Sequence, residues 1–275
     1  VRTIAPYIKN KLVDPAVLSV DEGGNFVIPL LSGHIGGANG FAKVLAKVIK
    51  ATPVVTTATD VNKLFAVDEW AARNNMIINS MKAAKDFAAA LVDGQEVGLF
   101  TDYPIISALP RQIVLKNKGV TGLAITKNRN VNPFDLTVQL WPRNIYLGIG
   151  CRRGTTLESI ETLVLPKLKE LGIDLRTIVG VASVDLKKDE AGLLNFASKY
   201  NWEISFFTAE ELQNAAGEFS SSDFVKSVVG VSNVCERSAV LAANNGSIIS
   251  SKCSLNGVTL AVAEADIVLD FEKLS

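Results

Sequence analysis

An alternation of short apolar segments with segments of helical periodicity constrains this fold more than any other feature of the sequence. Residues 26–31 form a short, partly β-branched apolar run, and the apolar side chains of residues 41–49 recur at spacings of three and four. Similar segments return at residues 145–150, 157–171 and 178–184. This alternation predicts an α/β protein with two layered α/β domains and mainly parallel sheets, joined by a small middle segment.

The length of 275 residues, with natural breaks near residues 70 and 143, divides the chain into parts of ordinary domain size. We expect an amino-terminal α/β domain at 1–70, a middle segment or insert at 71–142 and a carboxyl-terminal α/β domain at 143–275. The hydrophobic fraction of 48% is sufficient for large cores.

The middle segment contains shorter patterns. Residues 67–90 have mainly helical spacing, whereas short strands are predicted at 97–100, 111–115 and 122–126. Residues 128–133 are rich in turn formers. These patterns favour a connector or small insert that packs on the first domain.

Charge and hydropathy argue against two classes of partner. Lysine plus arginine and aspartate plus glutamate both number 28, so the net charge is zero, which argues against a broad nucleic-acid surface. No uninterrupted apolar stretch reaches the ~20 residues that a spanning helix needs, so we expect no membrane association. No secretory leader is visible, and the cytoplasm is therefore the expected compartment.

The only histidine of the chain, His34, lies in a glycine-rich turn between the predicted strand at 26–31 and the helix that follows. The N–H groups of a helix N-terminus, with Gly33, Gly36 and Gly37 beside them, form a site suited to a carboxylate or phosphate. The alternative is a tight strand-to-helix turn in which His34 caps or packs. The local pattern leaves both interpretations open.

A second apolar segment, residues 53–60, is predicted as a strand that ends in hydroxyls and a carboxylate. Its polar side chains are those of Thr56, Thr57 and Asp60. Open α/β sheets bind ligands at the carboxyl ends of their strands, so we expect two strand ends to point to one edge here.

Two adjacent arginines follow the predicted strand at 145–150. The Gly-x-Gly-x-x-x-Gly order of residues 148–154 differs from the dinucleotide fingerprint, and no P-loop is present, so a nucleotide-dependent enzyme is disfavoured. Arg152 and Arg153 instead indicate recognition of carboxylates, which a planar guanidinium binds through two parallel hydrogen bonds. The alternative is that these arginines pair with nearby acidic residues.

Further charged residues follow a later strand or begin a helix. A dense charge run after the predicted strand 178–184 places Lys187 and Glu190 towards the same ligand edge, although such runs are usually solvated helix starts. Glu236 opens a helix of small residues predicted at 238–243. A carboxylate there either caps the N–H groups of that helix or acts in catalysis.

The cysteines Cys151, Cys235 and Cys253 lack the paired spacing of a zinc site or a redox motif. Three well-separated cysteines and one histidine do not form a ligand set, so we expect no protein-bound metal and no disulfide scaffold. Buried small apolar roles are expected for the cysteines. Cys151 adjoins Arg152 and Arg153, whose charges would favour a thiolate.

Several long runs of residues resemble the cobalamin biosynthesis protein G family. The resemblance covers nearly the whole chain, most weakly in the middle, and is far more specific than a glycine pattern. The chain opens on Val1, without an initiator methionine, inside a family motif, so a fragment that lacks an amino-terminal strand and helix is expected. The matching runs are residues 1–6, 14–17, 20–22, 31–39, 53–60, 148–155, 182–193, 224–236 and 257–263.

The resemblance implies a hydrolase of anaerobic cobalamin biosynthesis. Family members open the δ-lactone of cobalt-precorrin-5A and expel a two-carbon unit as acetaldehyde, giving cobalt-precorrin-5B. The cobalt then belongs to the corrinoid substrate, and no separate cofactor is expected. Neighbouring enzymes of the pathway and a second copy of the chain in a homodimer are the expected protein partners.

That reaction needs a general base, stabilisation of an oxyanion and a general acid. His34 is the expected base or proton shuttle, because its unperturbed pKa lies near neutrality. Asp60 and Glu236 are the expected further catalytic residues, Glu236 as a reserve acid or base. The expected substrate-binding residues are Ser32, Gly33, Gly36, Gly37, Asn39, Thr56, Thr57, Arg152, Arg153, Lys187 and Glu190.

A second hypothesis belongs to a different class of protein. Residues 143–275 also resemble a stand-alone protein of the aerobic cobalamin pathway, whose fold implies ligand binding more clearly than catalysis. The chain is then a non-catalytic tetrapyrrole-binding or carrier protein of the same pathway. No Ser-His-Asp arrangement is defensible from the sequence, because Ser32 lies too near His34 in the turn and no nucleophile-elbow motif occurs.

Overall fold

The computed structural model describes residues 2–10, 13–33, 36–57, 61–62, 64–126, 130–215, 217, 219 and 233–272. The chain forms two compact units, of which the first comprises Val1–Trp141 with Leu269–Ser275 and the second Pro142–Val268. Strands and helices alternate in both units, and both contain parallel strand pairs. The predicted α/β fold class is therefore confirmed.

The first sheet of unit 1 has strand order β1-β2-β3, with one helix against it. Strands β1 and β2 are antiparallel, whereas β2 and β3 are parallel. Val27 of the sheet and Ala42 and Ala46 of the helix are buried together in a small core. The elements are β1 (Val17–Val20), β2 (Phe26–Leu31), α1 (Ala38–Ile49) and β3 (Thr52–Pro53).

The predicted strand at 53–60 is wrong in its extent. Strand β3 ends at Pro53, residues 54–57 have no regular structure, and residues 58–60 lie outside the described residues. Pro29 of the neighbouring strand has no N–H, which removes a donor that a longer ladder would need. The two strands are nonetheless parallel, so their carboxyl ends lie at one edge as expected.

The second sheet of unit 1 has strand order β4-β8-β7-β5-β6, and the β5–β6, β5–β7 and β7–β8 pairs are parallel. The strands expected at 97–100, 111–115 and 122–126 are present, with shifted ends. Its elements are α2 (Val67–Arg73), β4 (Met76–Ile78), α3 (Met81–Val92), β5 (Val97–Thr101), β6 (Ile113–Leu115), β7 (Gly119–Ile125) and β8 (Phe134–Pro142).

Two parts of the middle segment differ from the sequence patterns. Residues 67–90 are not one helical stretch, because the short strand β4 separates α2 from α3. Strand β8 had no counterpart in the prediction. The Phe134 ring of this strand lies over Gly98 of β5 and Gly122 of β7, which are parallel neighbours. A Cβ atom on either glycine would collide with that ring. Both glycines therefore make room for one buried aromatic side chain.

The end of the chain packs in unit 1, although residues 143–275 were expected to form one domain. Leu269 is fully buried, its N–H donates to the Pro104 carbonyl at 2.8 Å, and its carbonyl accepts from the Ile106 N–H at 3.0 Å. Phe271 stacks on Trp70 with ring centroids 4.7 Å apart. The apolar side chains of the last described segment thus find their burial in unit 1.

Unit 2 contains one mixed sheet of strand order β11-β10-β9-β13-β12. Strands β9, β10 and β11 are parallel, and the β12–β13 hairpin continues the sheet in antiparallel fashion. The strand bounds are β9 (Ile145–Cys151), β10 (Ile178–Val184), β11 (Glu203–Phe207), β12 (Ser247–Leu255) and β13 (Val258–Glu264). The helix bounds are α4 (Leu157–Glu170), α5 (Ala191–Lys199), α6 (Ala209–Gln213) and α7 (Val234–Ala242).

The two faces of this sheet are covered differently. Apolar side chains of α4 and α5, including Ile160 and Phe196, form the main core with Leu147 and Ile149 of β9. Helix α7 packs closely at Gly148, whose Cβ position would collide with the Cys235 carbonyl. The strands predicted at 145–150 and 178–184 and the helix at 157–171 are confirmed, whereas α7 begins four residues before the predicted start.

Candidate active site

The glycine-rich turn between β2 and α1 is held by hydrogen bonds within unit 1. The Ser32 hydroxyl donates to the Asp14 carbonyl at 2.6 Å. The N–H groups of Ala38 and Asn39 donate to the carbonyls of Ser32 and Gly33 at 3.1 and 2.9 Å. Two N–H groups at the start of α1 are therefore engaged within the turn itself.

Close packing explains why glycines occur at particular positions of this turn. A Cβ atom on Gly33 would lie 2.8 Å from the Asn39 Oδ1, and one on Gly36 would collide with the Ser32 side chain. Gly37 is the N-cap of α1 and has a φ of 76°, a conformation that favours glycine. The turn thus requires this glycine pattern for its shape. The expected contribution of its N–H groups to ligand binding stays a prediction.

Asn39 connects the turn to the segment after β3. Its side chain is buried at 1% exposure, and its Nδ2 donates to the Thr57 hydroxyl at 3.2 Å. Thr56 precedes this contact and is exposed. The structure thereby brings together the Asn39 and Thr57 side chains, as an orienting role for Asn39 requires. His34 and Asp60 lie outside the described residues, and their roles stay predictions.

In unit 2 the two predicted arginines follow β9 but have different surroundings. Arg153 Nη1 forms an exposed ion pair with Asp189 Oδ2 at 2.7 Å. This contact raises the pKa of Arg153 and lowers the pKa of Asp189. The alternative of pairing with a nearby acid therefore holds for Arg153. Arg152 is exposed, and its guanidinium has no ion pair among the described residues.

The side chain of Arg152 lies along the hairpin turn between β12 and β13. The backbone N–H of Arg152 donates to the Gly257 carbonyl at 3.2 Å. A Cβ atom on Gly257 would lie 2.8 Å from Arg152 Cδ and 2.9 Å from its Nε. Gly257 has a φ of 82°, as the tight turn requires.

Glu190 lies behind the arginines rather than beside them at the surface. The residue is 4% exposed, and its Oε1 accepts a hydrogen bond from the Gly154 N–H at 2.9 Å. Its Oε2 lies 3.5 Å from the Lys187 Nζ, whose side chain is 15% exposed. The structure therefore brings Lys187 and Glu190 together beside the turn after β9. Their expected contact with the substrate stays a prediction.

Glu236 is buried at the start of α7. The Asn233 Nδ2 donates to Glu236 Oε2 at 2.5 Å, and the Asn233 Oδ1 accepts from the Glu236 N–H at 3.2 Å. Glu236 Oε1 accepts from the Lys252 N–H at 2.7 Å, beside a register irregularity of β12. Both carboxylate oxygens thus stabilise local structure. The role of Glu236 as a reserve acid or base stays a prediction.

The thiol of Cys151 does not gain thiolate character from the adjacent arginines, in agreement with the expected buried apolar role. Burial raises the pKa of the Cys151 thiol and outweighs the nearby Lys187 charge, which acts in the opposite direction. Burial also raises the pKa of Cys235 to about 11. Cys151, Cys235 and Cys253 are all free thiols. At neutral pH these groups are protonated and poor nucleophiles.

Several residues of these clusters were not singled out from the sequence. Asp189 pairs with an arginine, Asn233 caps α7, and Gly257 contacts Arg152. The Asn-x-x-Glu spacing before α7 is a capping signal, and the Asn-Gly dipeptide at 256–257 is a hairpin signal. Both signals were available in the sequence.

Neither a metal cluster nor a spanning helix emerges from the described ranges. No group of three or more His, Cys, Asp or Glu side chains in that part of the chain is arranged to hold a metal ion. No helix there is long and apolar enough to cross a membrane. The expectation that the protein itself binds no metal stays a prediction.

This α/β chain is similar along most of its length to proteins of cobalamin synthesis. Family models match residues 1–60 (cobalamin synthesis G N-terminal), 65–142 (cobalamin biosynthesis central region) and 145–263 (cobalamin synthesis G C-terminus). A cobalt-precorrin-5A hydrolase of Priestia megaterium is 32% identical over 96% of this chain and 75% of its own length. The chain belongs to the cobalamin biosynthesis protein G family.

The chain is also similar to a second curated relative and to a solved structure. A cobalt-precorrin-5A hydrolase of Salmonella typhimurium is 35% identical over 96% of this chain and 79% of its own length. The crystal structure of a cobalamin biosynthesis protein G homolog from Sulfolobus solfataricus is 24% identical, with a TM-score of 0.40, and the match covers 96% of this chain and 78% of that one.

Proposed function

We propose that this chain is an enzyme that hydrolyses cobalt-precorrin-5A in anaerobic cobalamin biosynthesis. It opens the δ-lactone, releases acetaldehyde and leaves cobalt-precorrin-5B. The observation that carries the proposal is the identity of 32% and 35% to relatives named cobalt-precorrin-5A hydrolase, in each case over 96% of this chain.

The reaction divides into two steps with balanced bonds. Water adds its oxygen to the lactone acyl carbon, the acyl carbon–oxygen bond breaks, and a carboxylate and a hydroxyl result. The hydroxyl then loses its proton and becomes the carbonyl of acetaldehyde, while the adjoining carbon–carbon bond breaks. The electron pair of that bond remains on the macrocycle. A base, a donor to the oxyanion and an acid are therefore required.

Residues of the first unit supply the proposed proton transfers. His34 removes a proton from the attacking water and returns one later, since its unperturbed pKa lies near neutrality. Asp60 assists in holding that water. The N–H groups of Gly33, Gly36 and Gly37 donate to the oxyanion. The partly buried Asn39–Thr57 hydrogen bond supports this assignment by fixing two polar side chains beside the turn. Thr57 then binds water or a polar substrate edge, with Ser32 and Thr56 nearby in sequence.

Residues of the second unit supply the proposed substrate recognition. A corrinoid precursor carries several carboxylates, and arginine is suited to bind them through paired hydrogen bonds. Arg152 is exposed and lacks an acidic partner within the described ranges, whereas Arg153 exchanges its Asp189 partner for substrate. Glu236 stays the reserve acid or base.

The same proposal includes the setting of the reaction. The cobalt enters within the substrate, so no separate cofactor is needed. The enzyme works in the cytoplasm, forms a homodimer and receives its substrate from neighbouring enzymes of the pathway.

An anaerobic assay of the purified chain with cobalt-precorrin-5A tests this function. Stoichiometric acetaldehyde, with a macrocycle that has lost the two-carbon unit and gained the elements of water, is the expected result. Binding that shifts the corrinoid absorption spectrum without release of acetaldehyde would instead support the carrier hypothesis.

A further inference from the structure

We propose that Glu190 and Gly257 are positioning residues that hold Arg152 ready for a carboxylate of the substrate. The inference rests on the proposed function and changes the expected role of Glu190, which was assigned to direct substrate contact. Glu190 and Gly257 both contact the segment Arg152 to Gly154, which we call the arginine turn.

The surroundings of Glu190 explain how a buried carboxylate is tolerated. An ionised carboxylate at 4% exposure requires hydrogen bonds or a counter-charge, and Glu190 has both in the Gly154 N–H and the Lys187 ammonium. Its carbonyl also accepts hydrogen bonds from the N–H groups of Leu193 and Leu194 at the start of α5. The carboxylate is thus fixed on the inner side of the arginine turn.

This geometry favours positioning over direct binding. To reach a substrate at the surface, Glu190 would have to give up the Gly154 N–H and leave Lys187 without its carboxylate. Held where it is, the same carboxylate fixes the backbone two residues after Arg152. Its negative charge also offsets the charge of the neighbouring Lys187 ammonium.

Gly257 holds the arginine turn from the opposite side. Its carbonyl accepts the Arg152 N–H, and the arginine side chain passes across the space where a Cβ atom would be. A larger residue at 257 would displace a flexible side chain and not the backbone core. The expected consequence is a redirected Arg152 guanidinium in a protein that still folds.

The two contacts together preorganise one guanidinium. Arg153 already has an acidic partner, whereas Arg152 is exposed with its side chain confined along the hairpin. A receptor group that is fixed before binding loses less conformational entropy on binding. Arg152 therefore is the primary carboxylate receptor of the turn, and Glu190 and Gly257 act through it.

A double-mutant cycle with cobalt-precorrin-5A as the substrate tests this dependence. We expect Arg152→Ala and Glu190→Ala each to raise KM by about tenfold or more, the scale of a lost hydrogen bond to a charged group, with a small change in kcat. Combining the two should raise KM no further than Arg152→Ala alone. Glu190→Gln, which retains an acceptor for the Gly154 N–H, should recover most of the loss.

Hydrogen exchange gives a second measurement that does not depend on turnover. The Gly154 amide should exchange faster in Glu190→Ala and close to the wild-type rate in Glu190→Gln. For the hairpin, Gly257→Ala should raise KM, whereas Gly172→Ala should not. Gly172 is the matched control because it also has a positive φ, 67°, but an added Cβ meets no atom within 4 Å.

The outcomes separate the inference from the proposed function. If Arg152→Ala leaves KM unchanged while turnover continues, Arg152 does not recognise the substrate, and both the recognition proposal and this inference are overturned. If Arg152→Ala raises KM but the effect of Glu190→Ala is fully additive to it, the recognition proposal stands and the positioning role is overturned. An unchanged Gly154 exchange rate in Glu190→Ala also contradicts the inference.

Discussion

Helix α7 crosses strand β9 so closely at Gly148 that a Cβ atom there would collide with the carbonyl oxygen of Cys235. The contact sets the position of the α7 N-terminus, and with it the buried pair Asn233 and Glu236. The glycine of β9 is therefore a packing requirement of unit 2 and not part of a nucleotide-binding loop.

Gly148→Ala should destabilise the protein by roughly 1–3 kcal/mol, because the added methyl group forces α7 away from the sheet. Urea unfolding followed by circular dichroism measures this loss. The control is Gly40→Ala in α1, where an added Cβ meets nothing within 4 Å and should be neutral or stabilising. Equal stability of Gly148→Ala and the wild type would contradict the close approach.

Glu236→Ala should lower stability by about 1–3 kcal/mol, because the Lys252 N–H and the Asn233 amide lose a buried acceptor. Glu236→Gln keeps an acceptor oxygen and should lose less. Turnover of Glu236→Gln then reports on chemistry separately. A fall in kcat of about 10²-fold or more with retained stability would support the reserve acid or base role of Glu236. Turnover at the wild-type rate would contradict that role.

His34→Ala should reduce kcat by about 10²–10⁴-fold, the range for loss of a general acid or base, with the fold retained. The acetaldehyde assay measures this loss of kcat. Lys47→Ala, an exposed change on α1, serves as the control. Near-normal turnover of His34→Ala would remove histidine from the mechanism.

The Arg153–Asp189 ion pair should make a small, salt-sensitive contribution to stability, since both side chains are exposed. The pair lowers the pKa of Asp189, so its contribution is present above the unfolded pKa of about 3.9 and is lost as the pH falls through the lower folded value. Melting temperatures of the wild type and Asp189→Asn should therefore converge in strong acid. A difference that grows on acidification would contradict this sign.

Cys151→Ser should retain turnover, because burial raises the pKa of this thiol and no thiolate is available near neutral pH. The native Cys235, with a pKa of about 11 and 1% exposure, should react with iodoacetamide only after unfolding. Peptide mass mapping of the labelled protein measures the rate at which Cys235 reacts in the native and in the unfolded protein. Rapid native labelling of Cys235 would contradict its burial.

Strong periodicity made part of the fold predictable. Strand β10 agrees with its prediction at both ends, and α4 ends one residue before its predicted end, because each combines a long apolar pattern with clear boundaries. Strand β4 and the end of β3 were misjudged, since short apolar runs fit helix and strand alike. Their assignment depends on neighbouring strands, which periodicity does not reveal.

The residue types of the site were predictable from the sequence, but the directions in which their side chains point were not. Charge and position beside a strand end indicated Arg152 and Glu190 equally. Only burial separates them, because Glu190 points inward to a backbone N–H and Arg152 is exposed. The role of Gly257 depends on its contact with the Arg152 side chain, which lies more than a hundred positions away in the sequence. Local sequence carries no signal for that contact.

Hydrolysis of cobalt-precorrin-5A by this chain is tested most directly by mass spectrometry after anaerobic incubation in ¹⁸O-labelled water. We expect acetaldehyde release and a macrocycle that has lost the two-carbon unit and gained one solvent oxygen in a carboxylate, as water attack at the acyl carbon requires. A bound macrocycle of unchanged mass, with no acetaldehyde, would contradict it.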